Sequence, residues 1–528
     1  MKAKNWLIGW GIIVLSALSF MGYRVWRIDP YFHYHKPDTG KYFYLLNNQR
    51  SQNNGICRHF DYDSMIVGTS MTENFRTSEA EKIYGGHFIK ITNSGASFKE
   101  VNDNLDTAFG TNPDIKTVIR CLDMLRFFDA SDFMRSDLGV FPEYLYDDIP
   151  FNDVKYLLNR DVIFGRVYKM ERDAETEGFQ PGITTFDEFS RWLPDEYKYG
   201  INSVCPEGLT ATRPKEQPGL TDDEKAKIKE NIELNVTGAA DAHPDTDFYI
   251  YYSPYSIVQW NVWADAGMFR KVCEAEDYIT ELILEHDNIH LFSFNDRTDI
   301  ITDLNQYKDQ YHYGPWINSL ILKWMHDGSS QLTRDNYKER LQQEHDFFAS
   351  FDYTGINGQE DYEADYYAAA SLNKELTGAD PMDLLNADNV KVTLNAASYK
   401  TEGGSNTAVD CKGRLNRDPS ERLRDHLKNK EFIGVKLEVD LDQGYNYLCF
   451  DGLQIKKDGY PVVYVWDENG NPIDTSYVKP SDSSLKKHHF AVDLSAVSGT
   501  VTIILNGGGT DKTASTDSEY LFSNIYLY

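Results

Sequence analysis

A serine on a predicted strand-to-helix turn is the first residue of this sequence that is placed for chemistry. Ser70 lies in Gly68-Thr69-Ser70-Met71, which follows a short apolar segment and precedes a predicted helix. Such a serine presents its hydroxyl at the edge of a sheet, beside the backbone N–H groups of the helix N-terminus. It is a candidate nucleophile for attack on a carbonyl carbon. Serine is also a frequent helix N-cap, and that interpretation stays open.

Two further positions carry groups that would complete acyl-transfer chemistry. His312 follows Asp309 by three residues, so the carboxylate can accept the imidazole Nδ1–H and leave Nε2 free to take a proton from a serine. Gly95, in Asn93-Ser94-Gly95, lets the backbone approach a ligand closely and offers an N–H group to an oxyanion. A surface turn with a solvated histidine and a plain tight turn are the alternatives.

Apolar segments alternating with helical patterns supply the elements that must position these groups. Buried strands are predicted at residues 64–67, 88–91, 117–122, 248–252 and 289–294, and helices at 72–84, 98–109 and 262–286. This alternation is typical of an α/β domain with a parallel sheet, whose ligand site lies at the carboxyl ends of the strands. Ser253 and Tyr255 follow the fourth strand, so they are candidate substrate-binding residues. A rigid turn explains them equally well.

The first residues are suited to crossing a membrane. Residues 6–23 carry no charge and are flanked by lysines on one side and arginines on the other. Eighteen helical residues span about 27 Å, close to the thickness of the hydrocarbon layer. We therefore predict one transmembrane helix, with residues 1–27 as a membrane anchor. A cleaved secretory signal with Ala17 and Ser19 at its small-x-small site is the alternative. Both interpretations place the bulk of the chain outside the cytoplasm.

Charge and composition exclude several functions. The chain has 53 Lys and Arg against 82 Asp and Glu, and its net charge of −29 would repel a nucleic-acid backbone. The six cysteines and 13 histidines are dispersed without metal-ligand spacing, so we predict neither a metal nor a cofactor.

Three regions follow the anchor. The α/β pattern covers residues 28–328, with a polar insertion at about 171–218 and a capping box at Thr221 and Glu224. Residues 329–385 are predicted to be a helical connector. Residues 386–528 hold seven or more short alternating strands with turn signals, which is typical of a β-sandwich, and we consider carbohydrate binding for it.

The order of Ser70, Gly95 and the pair Asp309 and His312 resembles that of the SGNH (GDSL-type) hydrolase superfamily. The likeness covers residues 28–328. With its membrane segment and its widely separated serine and histidine, the chain is similar to surface members that act on bacterial envelope polymers. These include the D-alanylation protein of lipoteichoic acid and the polysaccharide O-acetylation proteins. The resemblance implies a flavodoxin-like parallel sheet sandwiched by helices.

The resemblance also implies a role for each residue. Ser70 would be the nucleophile and an oxyanion donor, Gly95 the second oxyanion donor, His312 the base and Asp309 its orienting carboxylate.

Two positions depart from the superfamily pattern. Thr69 stands where the serine block usually has an aspartate, and Asp123 stands where the third block supplies an asparagine amide. Because an ionised carboxylate cannot donate a hydrogen bond to an oxyanion, Asp123 is predicted to bind a substrate hydroxyl or to be structural.

Together these features predict a membrane-anchored, single-pass, extracytoplasmic serine O-acyltransferase or esterase acting on acyl esters of cell-envelope polysaccharide or teichoic acid. Its predicted partners are that polymer and the membrane, and the resemblance implies an integral membrane O-acyltransferase as acyl donor. The alternative is a catalytically inactive protein that keeps the SGNH scaffold to bind or assemble envelope polymers. Thr69 and Asp123 favour this alternative, and Asp309 and His312 argue against it.

Overall fold

The chain forms two compact units in a computed structural model. The first comprises Met1–Trp192, Leu209–Thr302 and Gln310–Ile356, and the second Leu193–Gly208, Asp303–Asp309 and Asn357–Tyr528. The described residues are 2–192, 197–210, 217–359, 361, 372, 374–375, 377–395, 398–402, 406–418, 420–441, 444–445, 447–454, 462–473, 487–494, 497–507 and 515–528. Part of the predicted connector at 329–385 lies outside these residues.

The first unit is built on one mixed sheet. Its strands are β1 Ser64–Gly68, β2 Phe88–Thr92, β3 Thr117–Leu122, β4 Asp247–Tyr252, β5 Ile289–Ser293 and β6 Gln331–Leu332. They lie in the order β2-β1-β3-β4-β5-β6, with parallel pairs up to β5 and an antiparallel β6 at the edge. The parallel part is therefore doubly wound, with its switch point between β1 and β3, where ligands bind in such sheets.

The described residues of the first unit also form helices. They are α1 Lys2–Ile28, α2 Gln49–His59, α3 Thr77–Tyr84, α4 Phe98–Thr111, α5 Val154–Leu157, α6 Tyr168–Ala174, α7 Asp222–Ile232, α8 Gly238–Ala242, α9 Ile257–Asp265, α10 Phe269–Ile283, α11 Thr298–Ile301, α12 Pro315–His326 and α13 Tyr337–Ser350. Two π-helical segments, Asp161–Val167 and Glu233–Thr237, precede α6 and α8, and a two-residue strand Phe43–Tyr44 pairs in parallel with Gly182–Ile183. The predicted capping box of Thr221 and Glu224 opens α7.

Successive side chains of each strand point to opposite faces of the sheet, so different strand residues contact the helices on the two faces. Lys90 and Tyr249 point to the face that α3 covers. The Nζ of Lys90 donates to the carbonyl of Phe75, just before α3, and the ring of Tyr249 contacts the ring of Tyr84 in α3. Arg120 and Phe248 point to the opposite face, where they contact Phe98 and Phe109 of α4, respectively. The strands are buried over nearly their whole lengths, which explains why the apolar pattern alone located them.

The helix predicted at 262–286 is wrong in its extent. The structure has two helices here, α9 and α10, separated by a turn at Gly267 with a φ of +73°. A left-handed residue cannot continue a right-handed helix, and glycine adopts that conformation without a Cβ clash. The predicted helix at 72–84 likewise resolves into a 3₁₀ turn, Ser70–Thr72, followed by α3.

The N-terminal helix α1 is long and apolar enough to cross a membrane. Among the described residues it is the one helix with this property, and its apolar window is not buried against the rest of the protein.

The second unit holds antiparallel sheets, as the alternating pattern predicts. Its strands are β7 Met382–Asp383, β8 Lys391–Asn395, β9 Ser398–Glu402, β10 Asn406–Asn416, β11 Gly434–Asp440, β12 Tyr447–Gln454, β13 Val462–Trp466, β14 Pro472–Ile473, β15 Lys487–Asp493, β16 Thr500–Asn506 and β17 Ser515–Leu527. One sheet has the order β8-β11-β16-β13-β14 and the other β9-β10-β17-β12-β15, with β7 paired to β17. Helix α14 spans Leu423–Asn429, and a four-residue helix Ile201–Val204 also belongs to this unit.

Alternation along β11 shows how this unit forms its core. Val435, Leu437 and Val439 are buried in a cluster that draws on both sheets, while Lys436 and Glu438 between them are partly exposed. This period of two is what a strand with one covered face requires.

Candidate active site

The end of β1 forces the chain into the turn that carries Ser70. Gly68 has a φ of +153°, and a Cβ there would lie 2.7 Å from Cγ2 of Thr72, so a larger residue does not fit. Thr69 then caps the 3₁₀ helix Ser70–Thr72, its hydroxyl accepting the N–H of Met71. Ser70 is half-buried at the carboxyl edge of the sheet, next to the switch point.

The histidine that the sequence pairs with this serine lies beside it. The Nε2 atom of His312 is 2.7 Å from Oγ of Ser70, although 242 positions separate the two residues. The imidazole stands edge-on to the indole of Trp192 at 5.0 Å between ring centroids, and the ring of Tyr311 lies 4.5 Å away. This geometry allows Nε2 to accept the serine proton directly.

Asp309 belongs to the second unit by its contacts, whereas His312 belongs to the first. That Asp309 orients the imidazole of His312 stays a prediction from the sequence.

Asp123 accepts three hydrogen bonds from the protein. The Thr69 hydroxyl donates to Oδ2 over 3.1 Å, the Leu125 N–H donates to Oδ1 over 3.0 Å, and the Tyr255 hydroxyl also donates to Oδ1. The carboxylate lies at the end of β3, so it ties the two loops at the switch point together. It thereby fixes Thr69, the residue before Ser70. Binding of a substrate hydroxyl by Asp123 stays a prediction.

Ser253 and Tyr255 are fully buried in this structure. The Oγ atom of Ser253 lies 3.1 Å from Sγ of Cys121, and Tyr255 binds Asp123. Burial, together with the negative charge of Asp123, raises the pKa of Tyr255 well above its ordinary value, so the phenol stays protonated and donates. These contacts support the loops from behind, and direct substrate binding by the two residues stays a prediction.

Gly95 lies in the loop after β2, which neighbours β1. The N–H of Asn93 donates to the carbonyl of Gly68 over 2.9 Å, so this loop is joined to the turn that carries Ser70. Gly95 has a φ of +65°, its carbonyl accepts from Nη1 of Arg135 over 2.7 Å, and an added Cβ would lie 3.2 Å from that same nitrogen. Glycine is therefore required here on conformational grounds, and the oxyanion role of its N–H stays a prediction.

Sequence reasoning missed Glu73, which organises both loops. Its Oε1 accepts from Nε2 of Gln49 over 2.6 Å and from the hydroxyl of Ser94, and its Oε2 accepts the indole N–H of Trp192 over 2.6 Å. One buried carboxylate thus connects the indole beside His312 to the loop of Gly95. Its position three residues after Ser70 was the available signal, but an acidic residue there is expected in any first helical turn.

Lys90 holds the backbone that follows the candidate nucleophile. Its Nζ is buried and donates to the carbonyl oxygens of Glu73 and Phe75 over 2.6 and 2.9 Å. Burial lowers the pKa of Lys90 to about 7. The turn after Ser70 is therefore pinned to β2 by a titratable group.

The described residues contain no group of three or more His, Cys, Asp or Glu side chains arranged to hold a metal ion. The site as described consists of a serine, a histidine and the polar groups that position them.

Comparisons with known proteins give distant structural likenesses. No protein-family model matches the chain, and no curated protein sequence matches it. A structure described as a platelet activating factor from Streptococcus pneumonia has 10% identity and a TM-score of 0.28, covering 53% of this chain and 90% of its own. A two-domain esterase active on acetylated mannans has 10% identity and a TM-score of 0.21, covering 87% and 90%.

The K1 adhesin domain of Lys-gingipain from Porphyromonas gingivalis has 13% identity and a TM-score of 0.16, covering 28% of this chain and 95% of its own. At these scores the likenesses establish neither the fold family nor the activity of this chain.

Proposed function

We propose that this protein is a membrane-anchored, extracytoplasmic serine esterase or O-acyltransferase with an SGNH-like domain. Its substrates would be acyl esters of cell-envelope polysaccharide or teichoic acid. The observation that carries the proposal is the 2.7 Å approach of His312 Nε2 to Ser70 Oγ at the switch point of a doubly wound sheet.

Chemistry at this pair proceeds by two acyl transfers. His312 Nε2 takes the Oγ proton as Ser70 attacks the ester carbonyl carbon, and the bond to the leaving alcohol oxygen breaks as that oxygen takes the proton from His312. The acyl group is then an ester of Ser70. Water or a glycan hydroxyl gives its proton to His312, attacks this ester, and releases the serine, which regains a proton.

Charge on the tetrahedral oxygen needs donors that are fixed in advance. The N–H groups of Ser70 and Gly95 are the proposed donors, because their loops follow adjacent strands and are joined by the hydrogen bond from Asn93 to Gly68. Asp309 is the proposed orienting carboxylate of His312. Asp123 supplies no proton to this oxygen, because its carboxylate only accepts hydrogen bonds.

Helix α1 is the proposed anchor. Its length and exposure suit a bilayer, and they would hold the serine near lipid-linked or wall-attached polymers. An integral membrane O-acyltransferase is the proposed acyl donor if the reaction is a transfer.

Covalent labelling tests the proposal. Full-length protein in detergent should react at Ser70 with a fluorophosphonate, and Ser70→Ala should remove the label. Ser350→Ala, at the exposed end of α13, should leave labelling unchanged and serves as the matched control. Release of acetate from acetylated glycan, with and without an added polyol acceptor, then separates hydrolysis from transfer. Failure of the wild-type protein to label would overturn the proposal.

A non-catalytic scaffold for binding envelope polymers is the second candidate. The observation that favours it is the carboxylate of Asp123, engaged by three protein donors where the resembling superfamily has an amide donor. Polymer binding that survives in Ser70→Ala, combined with unchanged acyl-ester content of the envelope, would favour this candidate.

A further inference from the structure

Large apolar side chains are exposed beside the foot of α1. The fractional exposure is 91% for Phe151, 56% for Phe164, 55% for Ile149, and 52% each for Val154 and Tyr168. We call these five residues the apolar collar. They lie on or next to α5 and the π-helical segment Asp161–Val167, and both of these elements pack against α1.

The foot of α1 is built into the first unit. Val25 and Ile28 are buried, and the carboxylate of Asp29 accepts the backbone N–H groups of His33, Tyr34 and His35. Asp29 also accepts the hydroxyl of Tyr156 in α5 over 2.8 Å. The helix therefore leaves the unit in a defined direction, with α5 beside its last turns.

The point at which α1 begins to contact the rest of the protein indicates how close the apolar collar lies to the bilayer. A Cβ on Gly22 would lie 3.7 Å from Cβ of Leu157, whereas residues 3–20 are exposed apart from one partly buried position. A span of about 20 helical residues fills the hydrocarbon layer, so a helix that crosses it with residues up to about 22 brings α5 to the bilayer surface. The collar would then face the interface between acyl chains and headgroups, where aromatic side chains are favoured.

We propose that the apolar collar is a second membrane contact, which rests on a phospholipid surface and holds the catalytic unit at a fixed height and orientation beside α1. This inference rests on the membrane anchoring proposed above. It differs from an anchored unit that tumbles freely, because exposed Phe151 would be placed in lipid rather than water.

Site-directed fluorescence in vesicles tests this placement. The full-length chain would carry Cys205→Ser, since Cys205 is the half-buried thiol and the other five cysteines are buried. An environment-sensitive probe is attached through Phe151→Cys, Tyr168→Cys, Leu15→Cys or Lys82→Cys, in vesicles of phosphatidylcholine and phosphatidylglycerol. Lys82 is the exposed control on α3, which covers the sheet face opposite α4. Leu15 reports on the anchor itself.

We expect probes at 151 and 168 to show blue-shifted emission and several-fold stronger quenching by a lipid-attached nitroxide than the probe at 82. Iodide should quench in the reverse order. Equal behaviour at 151, 168 and 82, with position 15 in lipid, would overturn the collar and leave the anchor intact. Loss of lipid quenching at position 15 would overturn the anchoring. Protection at 151 from both quenchers would overturn the proposal in favour of a protein that covers this surface.

Discussion

The indole ring of Trp192 stands edge-on to the imidazole of His312, with 5.0 Å between the centroids and an interplanar angle of 86°. The indole N–H is in turn held by Glu73 over 2.6 Å. The ring that limits the movement of His312 is therefore itself fixed by a buried carboxylate, and that carboxylate also holds Ser94 and Gln49. The positions of His312 and of the neighbouring loop therefore depend on the same carboxylate.

Removing the hydrogen bond between Trp192 and Glu73 should reduce kcat more than it weakens substrate binding. Trp192→Phe keeps an aromatic ring but loses the N–H that donates to Glu73. Glu73→Gln replaces one acceptor oxygen by an NH₂ group, which cannot accept from the donors of Gln49, Ser94 or Trp192. We expect each change to reduce kcat about tenfold or more, because a lost hydrogen bond to a buried charged group costs about 1.5–3 kcal/mol. Steady-state ester hydrolysis measures kcat and KM separately.

A double-mutant cycle shows whether the two residues act together. The combined variant should lose much less than the product of the single losses, since the same interaction is removed twice. Trp260→Phe is the control, because the Nε1 of this buried indole has no hydrogen-bond partner in the structure. Independent, multiplicative losses would count against a shared positioning role.

The proposed catalytic pair of Ser70 and His312 should respond to His312→Gln. Since the amide cannot take the proton from Ser70, kcat/KM should fall by about 10³-fold or more, to a level close to that of Ser70→Ala. His243→Gln, a histidine remote in sequence and stacked on Phe109, is the matched control and should keep near-normal activity. Retained activity in His312→Gln would show that another base serves the serine.

Asp123→Asn should destabilise the first unit rather than improve catalysis. An amide can accept from Thr69 or from Tyr255 but presents its N–H₂ group to the other buried hydroxyl, which costs about 1–3 kcal/mol. Urea denaturation followed by tryptophan fluorescence suits this measurement, because eight of the nine tryptophans lie in the first unit and Trp466 alone in the second.

Adding Tyr255→Phe should recover part of this loss, because it removes one of the two competing donors. A stable Asp123→Asn variant with increased esterase activity would instead support an oxyanion role for the side chain at position 123.

The buried Lys90 should make the free energy of unfolding increase as the pH rises. Burial lowers its pKa to about 7 in the folded protein, from an ordinary value of 10.5. Between these values the unfolded chain binds more protons, so this residue makes the free energy of unfolding rise with pH, by up to about 1.4 kcal/mol per pH unit. Below pH 7 both states are protonated and the burial penalty is complete.

Lys90→Met should therefore flatten the pH profile between pH 7.5 and 9.5, a window that lies between the two pKa values. Lys82→Met, at an exposed position on α3, should leave the profile unchanged. Parallel profiles for wild type and Lys90→Met would contradict the lowered pKa.

His345 should act in the opposite direction. Although its burial favours the neutral ring, hydrogen bonds to Cys273 and Glu276 raise its pKa to about 11 from 6.5. The stabilisation is complete below pH 6.5 and is lost as the pH rises through 11, so His345→Gln should remove a decline of stability across this window. The same denaturation experiment measures it, and a variant whose profile falls as steeply as wild type would refute the pairing.

Local patterns located the sheet because its strands are buried on both faces. The observed bounds of β1 to β5 lie within one residue of the predicted ones, since continuous apolar runs of this length are typical of a parallel sheet. The break between α9 and α10 was missed, because Gly267 is tolerated within a helical pattern unless the backbone takes a left-handed conformation.

Position in the chain, combined with the rule for parallel sheets, was enough to nominate Ser70, Gly95 and His312. The sequence could do this because the carboxyl ends of parallel strands share one edge, whatever the distance along the chain. Which carboxylates serve the site was decided by the tertiary structure. The sequence nominated Asp123 from its place after β3 but did not single out Glu73, and only the folded structure assigns the hydrogen bonds of Asp123 to Thr69 and Tyr255 and of Glu73 to Trp192. Hydrogen-bond partners depend on atoms that approach within about 3 Å, and folding alone brings such atoms together.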